Sequence, residues 1–123
     1  MYEARGFRID LTDRRDGIRL VRLTGELDLA SAPRLRDCLT ACLDEGRAFI
    51  VDLEAVPFLG SAGLQVLADV DETASARAVS WALAGSHRAV IRPLEVTGMD
   101  ARLPLYPSIT VAERHLSGAS VTG

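Results

Sequence analysis

The chain contains no lysine; its fourteen basic side chains are all arginine. Together with the abundance of Ala and Leu, this absence reads as codon bias from a GC-rich genome. The arginines are scattered and the formal net charge is −3, so no basic stripe offers itself to nucleic acid or to an anionic membrane. No apolar run approaches the roughly 20 residues needed to span a bilayer. The opening "MYEARGFRID" lacks the apolar core of a signal peptide, so a cytoplasmic protein with no membrane partner is expected. Cysteine is scarce. Cys38 and Cys42 lie four apart on an expected helix, whose geometry gives them no comfortable bond. They read as small core residues, with a redox role as the alternative. His87 and His115 show no metal-ligand spacing, and no Walker motif is present. No metal or cofactor is therefore expected, and there are no internal repeats.

What is present suits one domain over residues 1–123, with a core at about 7–116 and a frayed tail at 117–123. Hydrophobic residues make up 48% and charged ones 25%, an ordinary globular balance. "FRIDL" alternates, placing Phe7, Ile9 and Leu11 on one face of a strand. Asp16-Gly17 signals a turn. "IRLVRL" follows, and its apolar phase slips by one, which predicts a bulge or a strand buried on both faces. The loop "GELDLA" leads to Ser31, a candidate cap, and to Pro33 in a first helical turn. Leu35, Cys38, Leu39, Cys42 and Leu43 form the helix's apolar stripe, which Gly46 ends. "AFIVDL" is continuous and β-branched, as a central parallel strand should be.

A second helix runs from the region of Ser61 to about Ala78, with Leu64, Leu67, Val70 and Ala74 inward. "VSWALAG" gives a strand, Ser86 caps a third helix ended by Gly98, residues 103–106 allow a short strand, and Pro107-Ser108 opens a last helix. The order β-β-α-β-α-β-α-β-α predicts an α/β fold. A mixed central sheet of about five strands, an N-terminal hairpin followed by βαβ units, is covered by about four helices. Chemistry in such sheets gathers at the carboxyl ends of strands, where both "TGELD" and "FLGSAG" fall.

In "VPFLGSAGLQVL" a single hydroxyl stands between an apolar strand and a helix, among residues that are almost all backbone. Ser61 can serve simply as an N-cap, worth about 1 kcal/mol. It can also accept a phosphate. That group carries about −1.5 to −2 charges and three acceptor oxygens, and a helix N-terminus favours it by roughly 0.3–1 kcal/mol. Gly60, Ala62 and Gly63 leave the hydroxyl unshielded; their other reading is strained backbone at the turn. A hydrolase elbow needs Gly-x-Ser-x-Gly, and the residue two before Ser61 is Leu59. His87, Asp100 and His115 show no triad spacing.

Three stretches, "LTGELDLASAPRLR", "FIVDLEAVPFLGSAGLQVL" and "VTGMDARLPLYPS", stand in an order and spacing that resemble the STAS domain over residues 7–116. The likeness is greatest to the free-standing bacterial anti-sigma factor antagonists. The family's switch motif, Asp-Ser-Ser/Thr-Gly, stands here as Gly60-Ser61-Ala62-Gly63. The resemblance maps the phosphorylated serine onto Ser61; Ala62 replaces the second hydroxyl and Gly60 the acidic residue. Asp28 maps onto an aspartate that contacts the partner kinase, its other reading being an Asx-turn before the first helix. Asp28, Gly60, Ala62, Gly63 and Leu64 form the implied partner-binding set. Asp52 is expected to support the turn before Ser61 by hydrogen bonding.

The resemblance implies a domain that catalyses nothing and holds no cofactor. Unphosphorylated, it binds an anti-sigma factor with a histidine-kinase-like ATPase domain and so releases a sigma factor, as in transcriptional stress responses. Phosphorylation of Ser61 ends the binding, and a metal-dependent, PP2C-type serine phosphatase resets it. Two alternatives stand beside this: a non-phosphorylated STAS scaffold subunit of a transport or signalling complex, and a small enzyme or nucleotide-binding domain.

Overall fold

The computed structural model describes residues 6–14 and 17–121, with side chains to residue 117. Residues 1–5, the first half of the stretch read for a signal peptide, lie outside that part. So do residues 15–16 of the hairpin turn and residues 122–123 of the tail. Five strands form one sheet in the order β1-β2-β3-β4-β5: β1 (Arg8–Asp13), β2 (Arg19–Thr24), β3 (Phe49–Ala55), β4 (Trp81–Ala84) and β5 (Leu105–Tyr106). β1 pairs antiparallel with β2, and every later pair is parallel. The helices are α1 (Ala32–Glu45), α2 (Ser61–Arg77), α3 (Arg88–Thr97) and α4 (Ile109–Val121), with a short 3-10 turn at Met99–Ala101. The expected α/β architecture is the observed one.

Alternation along the strands divides the interior in two. Val21, Leu23, Phe49, Val51, Leu53 and Leu83 join α1, α2 and α3 in the larger core. Ile18, Leu20, Ile50, Ala82 and Ala84 face the other way, onto Ala112 of α4. The phase slip in "IRLVRL" therefore marks a strand buried on both faces, as parallel strands under helices on each side must be. No bulge lies at the slip itself, where Leu20 and Val21 pair in unbroken register on both sides; the β2–β3 register shifts only later, between Arg22 and Thr24. Leu11 departs from expectation: Phe7 is buried, but Leu11 is 47% exposed. Among the described residues β1 is the sheet edge, with no strand beyond it.

α1 buries Leu35, Leu39, Cys42 and Leu43, while Cys38 is half-buried at the margin, and both thiols are free. The hydrogen bond with Cys38, followed by burial, pushes the Cys42 thiol up, away from ionisation. Gly46 ends α1 in the left-handed region, its N–H donating to Leu43 O, as a C-cap requires. The start of α3 differs from the sequence reading, and that of α4 agrees with it. Ser86 does not cap α3; His87 holds the extended cap position, and the Ser86 hydroxyl donates to Glu54 Oε2 at 3.3 Å. Ser108 does cap α4, its Oγ accepting from Val111 N–H at 3.2 Å. The helical backbone of α4 continues to Val121, through most of the segment read as a tail.

Candidate functional site

β2 and β3 end side by side, and the loops that follow remain joined. Gly25 N–H donates to Ala55 O at 3.2 Å, Leu27 N–H to Phe58 O at 2.8 Å, and Gly60 N–H to Leu27 O at 2.9 Å. The result is a parallel bridge between Leu27 and Leu59. "GELD" and "FLGSAG", 30 residues apart in the sequence, thus form one surface at the carboxyl ends of two central strands. Gly25 is needed for the approach. Its φ is +104°, and a Cβ there would meet Gly6 O at 2.0 Å, a clash with backbone that no side-chain motion relieves.

Ser61 is exposed and is the first residue of α2. It is not the cap, contrary to the simpler sequence reading. Gly60, with extended angles (φ −91°, ψ 177°), occupies that position, and no side chain caps the helix. The hydroxyl is consequently not committed to an N-capping bond. No acidic residue occupies the first turn of α2, so its dipole and end amides face the Ser61 oxygen without a competing carboxylate there.

The neighbours of Ser61 divide into two groups. Ala62 is half-buried, whereas Gly63 and Leu64 are buried. Gly63 and Leu64 therefore present little side-chain surface of their own. The glycines are also not strained. Neither Gly60 nor Gly63 has a positive φ; Gly63 is required by close approach, whereas a Cβ at Gly60 would meet only the exposed ring of Phe58. A Cβ at Gly63 would lie 2.6 Å from Leu27 Cγ and 3.1 Å from Leu59 Cδ1. α2 rests directly on the bridge between the loops.

Asp28 forms the Asx-turn. Its Oδ1 accepts from Ala30 N–H at 3.0 Å and Ser31 N–H at 3.1 Å. These bonds, Ser31 N–H foremost, hold the Asp28 carboxyl below its ordinary value. A depressed carboxyl pKa stabilises the fold above the unfolded value of about 3.9, and the contribution is lost as pH falls through the lowered folded value. Asp28→Asn is accordingly expected to flatten the acid limb of stability below about pH 4 and to leave its neutral-pH slope unchanged. Urea unfolding at a series of pH values checks this.

Ser31, expected to cap α1, makes no capping bond. It is 1% exposed, and its hydroxyl donates to Glu26 O at 2.8 Å while accepting from Asp28 N–H at 2.9 Å. These bonds fix the residues on both sides of Leu27, and through Leu27 the Ser61 turn. Ser31→Ala removes the partner of a carbonyl and an amide in a part-buried place, at a cost of about 1 kcal/mol. Urea unfolding should show that loss, and Ser31→Thr should recover most of it.

Asp52 is 5% exposed but does not bond the turn before Ser61. Its Oδ1 accepts from Glu54 N–H at 3.0 Å, and its Oδ2 pairs with Arg22 Nε at 3.1 Å. It supports the β2–β3 register instead, one strand across. Sequence reading missed Phe58 and Leu29. These exposed apolar side chains lie in the two bridged loops, and an apolar run followed by a turn gave no sign that either would be left in water.

These features define a small α/β domain with a free serine hydroxyl at a strand-to-helix turn. Among the described residues no group of three or more His, Cys, Asp or Glu could hold a metal, and no helix is long and apolar enough to cross a membrane. The STAS domain family model matches residues 11–112, and the chain belongs to that family. The anti-sigma-F factor antagonist RsfB of Mycobacterium tuberculosis is 28% identical over 107 residues, covering 86% of this chain and 87% of RsfB. A solved anti-sigma factor antagonist from Mycobacterium paratuberculosis is 33% identical, with a TM-score of 0.81 over 89% of this chain and 92% of that one. Unphosphorylated SpoIIAA, another anti-sigma factor antagonist, shares the fold at 19% identity, with a TM-score of 0.72 over 91% of this chain and 96% of its own.

Proposed function

We propose that this domain is an anti-sigma factor antagonist that acts by partner switching, with Ser61 as the switch. The observation that carries the reading is the exposed, uncapped hydroxyl at the start of α2. The mycobacterial relatives, one 33% identical over most of both chains, support the antagonist role. SpoIIAA, of the same fold, has been seen in unphosphorylated and phosphorylated forms, so a phosphate is compatible with this architecture.

Unphosphorylated, the surface around Ser61 and Asp28 binds an anti-sigma factor bearing a histidine-kinase-like ATPase domain, which frees a sigma factor. Asp28 Oδ1 is occupied by its own loop, which leaves Oδ2 for a partner's donor. The anti-sigma factor transfers the γ-phosphoryl group of ATP to Ser61 Oγ; the hydroxyl proton departs and ADP leaves. The phosphorylated domain dissociates, and a PP2C-type phosphatase hydrolyses the ester. In this cycle the domain acts in the cytoplasm as ligand and substrate.

The test is a panel of anti-sigma kinases, the anti-sigma-F factor of M. tuberculosis among them, incubated with the domain, ATP and Mg²⁺ and read by intact mass. A gain of one phosphate that Ser61→Ala abolishes is the expected result. Stable association with a membrane complex, with no phosphate at Ser61 from any kinase, would instead favour a scaffold subunit.

A further inference from the structure

Phe58 is 50% exposed, yet its backbone is fixed. Its carbonyl accepts Leu27 N–H, and the next residue, Leu59, is buried. Its ring lies across the Cα of Gly60: a Cβ at Gly60 would come within 2.9 Å of Phe58 Cε2 and 3.1 Å of Cζ. The ring therefore occupies the space that a side chain at position 60 would take. Leu29, 82% exposed, rises from the facing loop. It lines a shallow groove of about 310 Å³ with Pro33, Ala62 and Val66, edged by Arg36, Asp37 and Gln65, beside the first turn of α2. Among the described residues four large apolar side chains are exposed, and two of them are these. The other two, Leu11 and Val96, lie on β1 and α3.

An aromatic ring held by a fixed backbone loses little entropy on docking, which is why such residues dominate interface energies. We infer that Phe58 is a specificity-determining residue for the kinase that modifies Ser61. It docks into an apolar pocket of that kinase, and Gly60 keeps the ring in its docking position by lacking a side chain. The inference rests on the partner-switch reading. It adds that the surface next to the phosphoacceptor is aromatic, with Leu29 as a second apolar contact. Phe58 touches no reacting atom, so its contribution falls on binding, before the phosphoryl group moves.

The experiment uses whichever kinase of the panel above phosphorylates Ser61. Phe58→Ala is expected to raise KM for the domain about 10- to 100-fold and to change kcat by less than about twofold. The thermal midpoint should stay as in wild type, because half of the ring is already in water. Phe58→Trp should retain binding. Gly60→Ala, which pushes the ring aside without adding charge, should raise KM in the wild-type background and have almost no effect on top of Phe58→Ala. An unchanged KM for Phe58→Ala overturns the inference, as does a Gly60→Ala effect that adds in full. If no kinase binds or modifies the wild-type domain, the partner-switch reading itself fails and this inference falls with it. If Ser61 is modified equally in wild type and Phe58→Ala, only the role of Phe58 is lost.

Discussion

Ser61→Asp is expected to weaken binding of the anti-sigma factor about 100-fold, and phosphorylation of Ser61 up to about 1,000-fold, which corresponds to about 3–4 kcal/mol. The size follows from what the charge meets on each side of the interface. Within the domain, a negative group at the first position of α2 faces free end amides and the positive end of the helix dipole, a favourable setting by roughly 0.3–1 kcal/mol. The first turn holds no acidic residue to oppose it. The free domain should therefore be as stable as wild type or slightly more so. At the interface the same charge loses its water and lies next to Phe58 and Leu29, both apolar. Desolvating one uncompensated charge can cost several kcal/mol, more than the helix end returns. Titration calorimetry on the nucleotide-loaded anti-sigma factor gives the affinities, and thermal unfolding gives the stability. Ser61→Ala should bind as tightly as wild type and remain bound when ATP is present. If Ser61→Asp binds like wild type, the switch is not at this residue. If it loses binding only because its thermal midpoint collapses, the domain does not tolerate the charge as argued.

How far the sequence could be read depends on how local each cause is. The sheet was legible because burial on both faces leaves continuous β-branched runs, and the phase slip through Ile18, Leu20, Val21 and Leu23 reports the two cores directly. Ser61 was legible as a free hydroxyl because small neighbours cannot cover it. Failures arose where a second segment decides. Asp52 looked like support for the adjacent turn, but strand register brings Arg22 to it. Ser31 looked like a cap, because a serine before Ala-Pro usually is one, yet the loop folds Glu26 O back onto its hydroxyl. The starts of α2 and α3 each moved by one residue, since Gly60 and His87 take extended angles that no residue type announces. Leu29 and Phe58 could not be identified as exposed until the bridge between the loops was known.

Gly63 gives the second large effect, and it concerns how the switch is held. Its absent Cβ is the space filled by Leu27, which is fully buried between α2 and the Leu59 loop. Gly63→Ala should gain up to about 1 kcal/mol of helix propensity. That gain is outweighed by overpacking, which costs about 1–3 kcal/mol in a core that cannot give way. Larger residues should do worse, and Gly63→Val is expected to lose about 3 kcal/mol or more. Leu27→Ala alone should lose about 2–5 kcal/mol through the cavity it opens. The two changes are complementary in volume, so the double variant Leu27→Ala/Gly63→Val should be more stable than the sum of the single losses, by a coupling of at least about 1 kcal/mol. Urea unfolding of the four proteins closes the cycle. Strict additivity would mean that α2 does not rest on the bridge as described. Recovery of stability in the double variant without recovery of anti-sigma factor binding would separate the two duties of this contact: filling the core, and fixing the height at which Ser61 meets its partner.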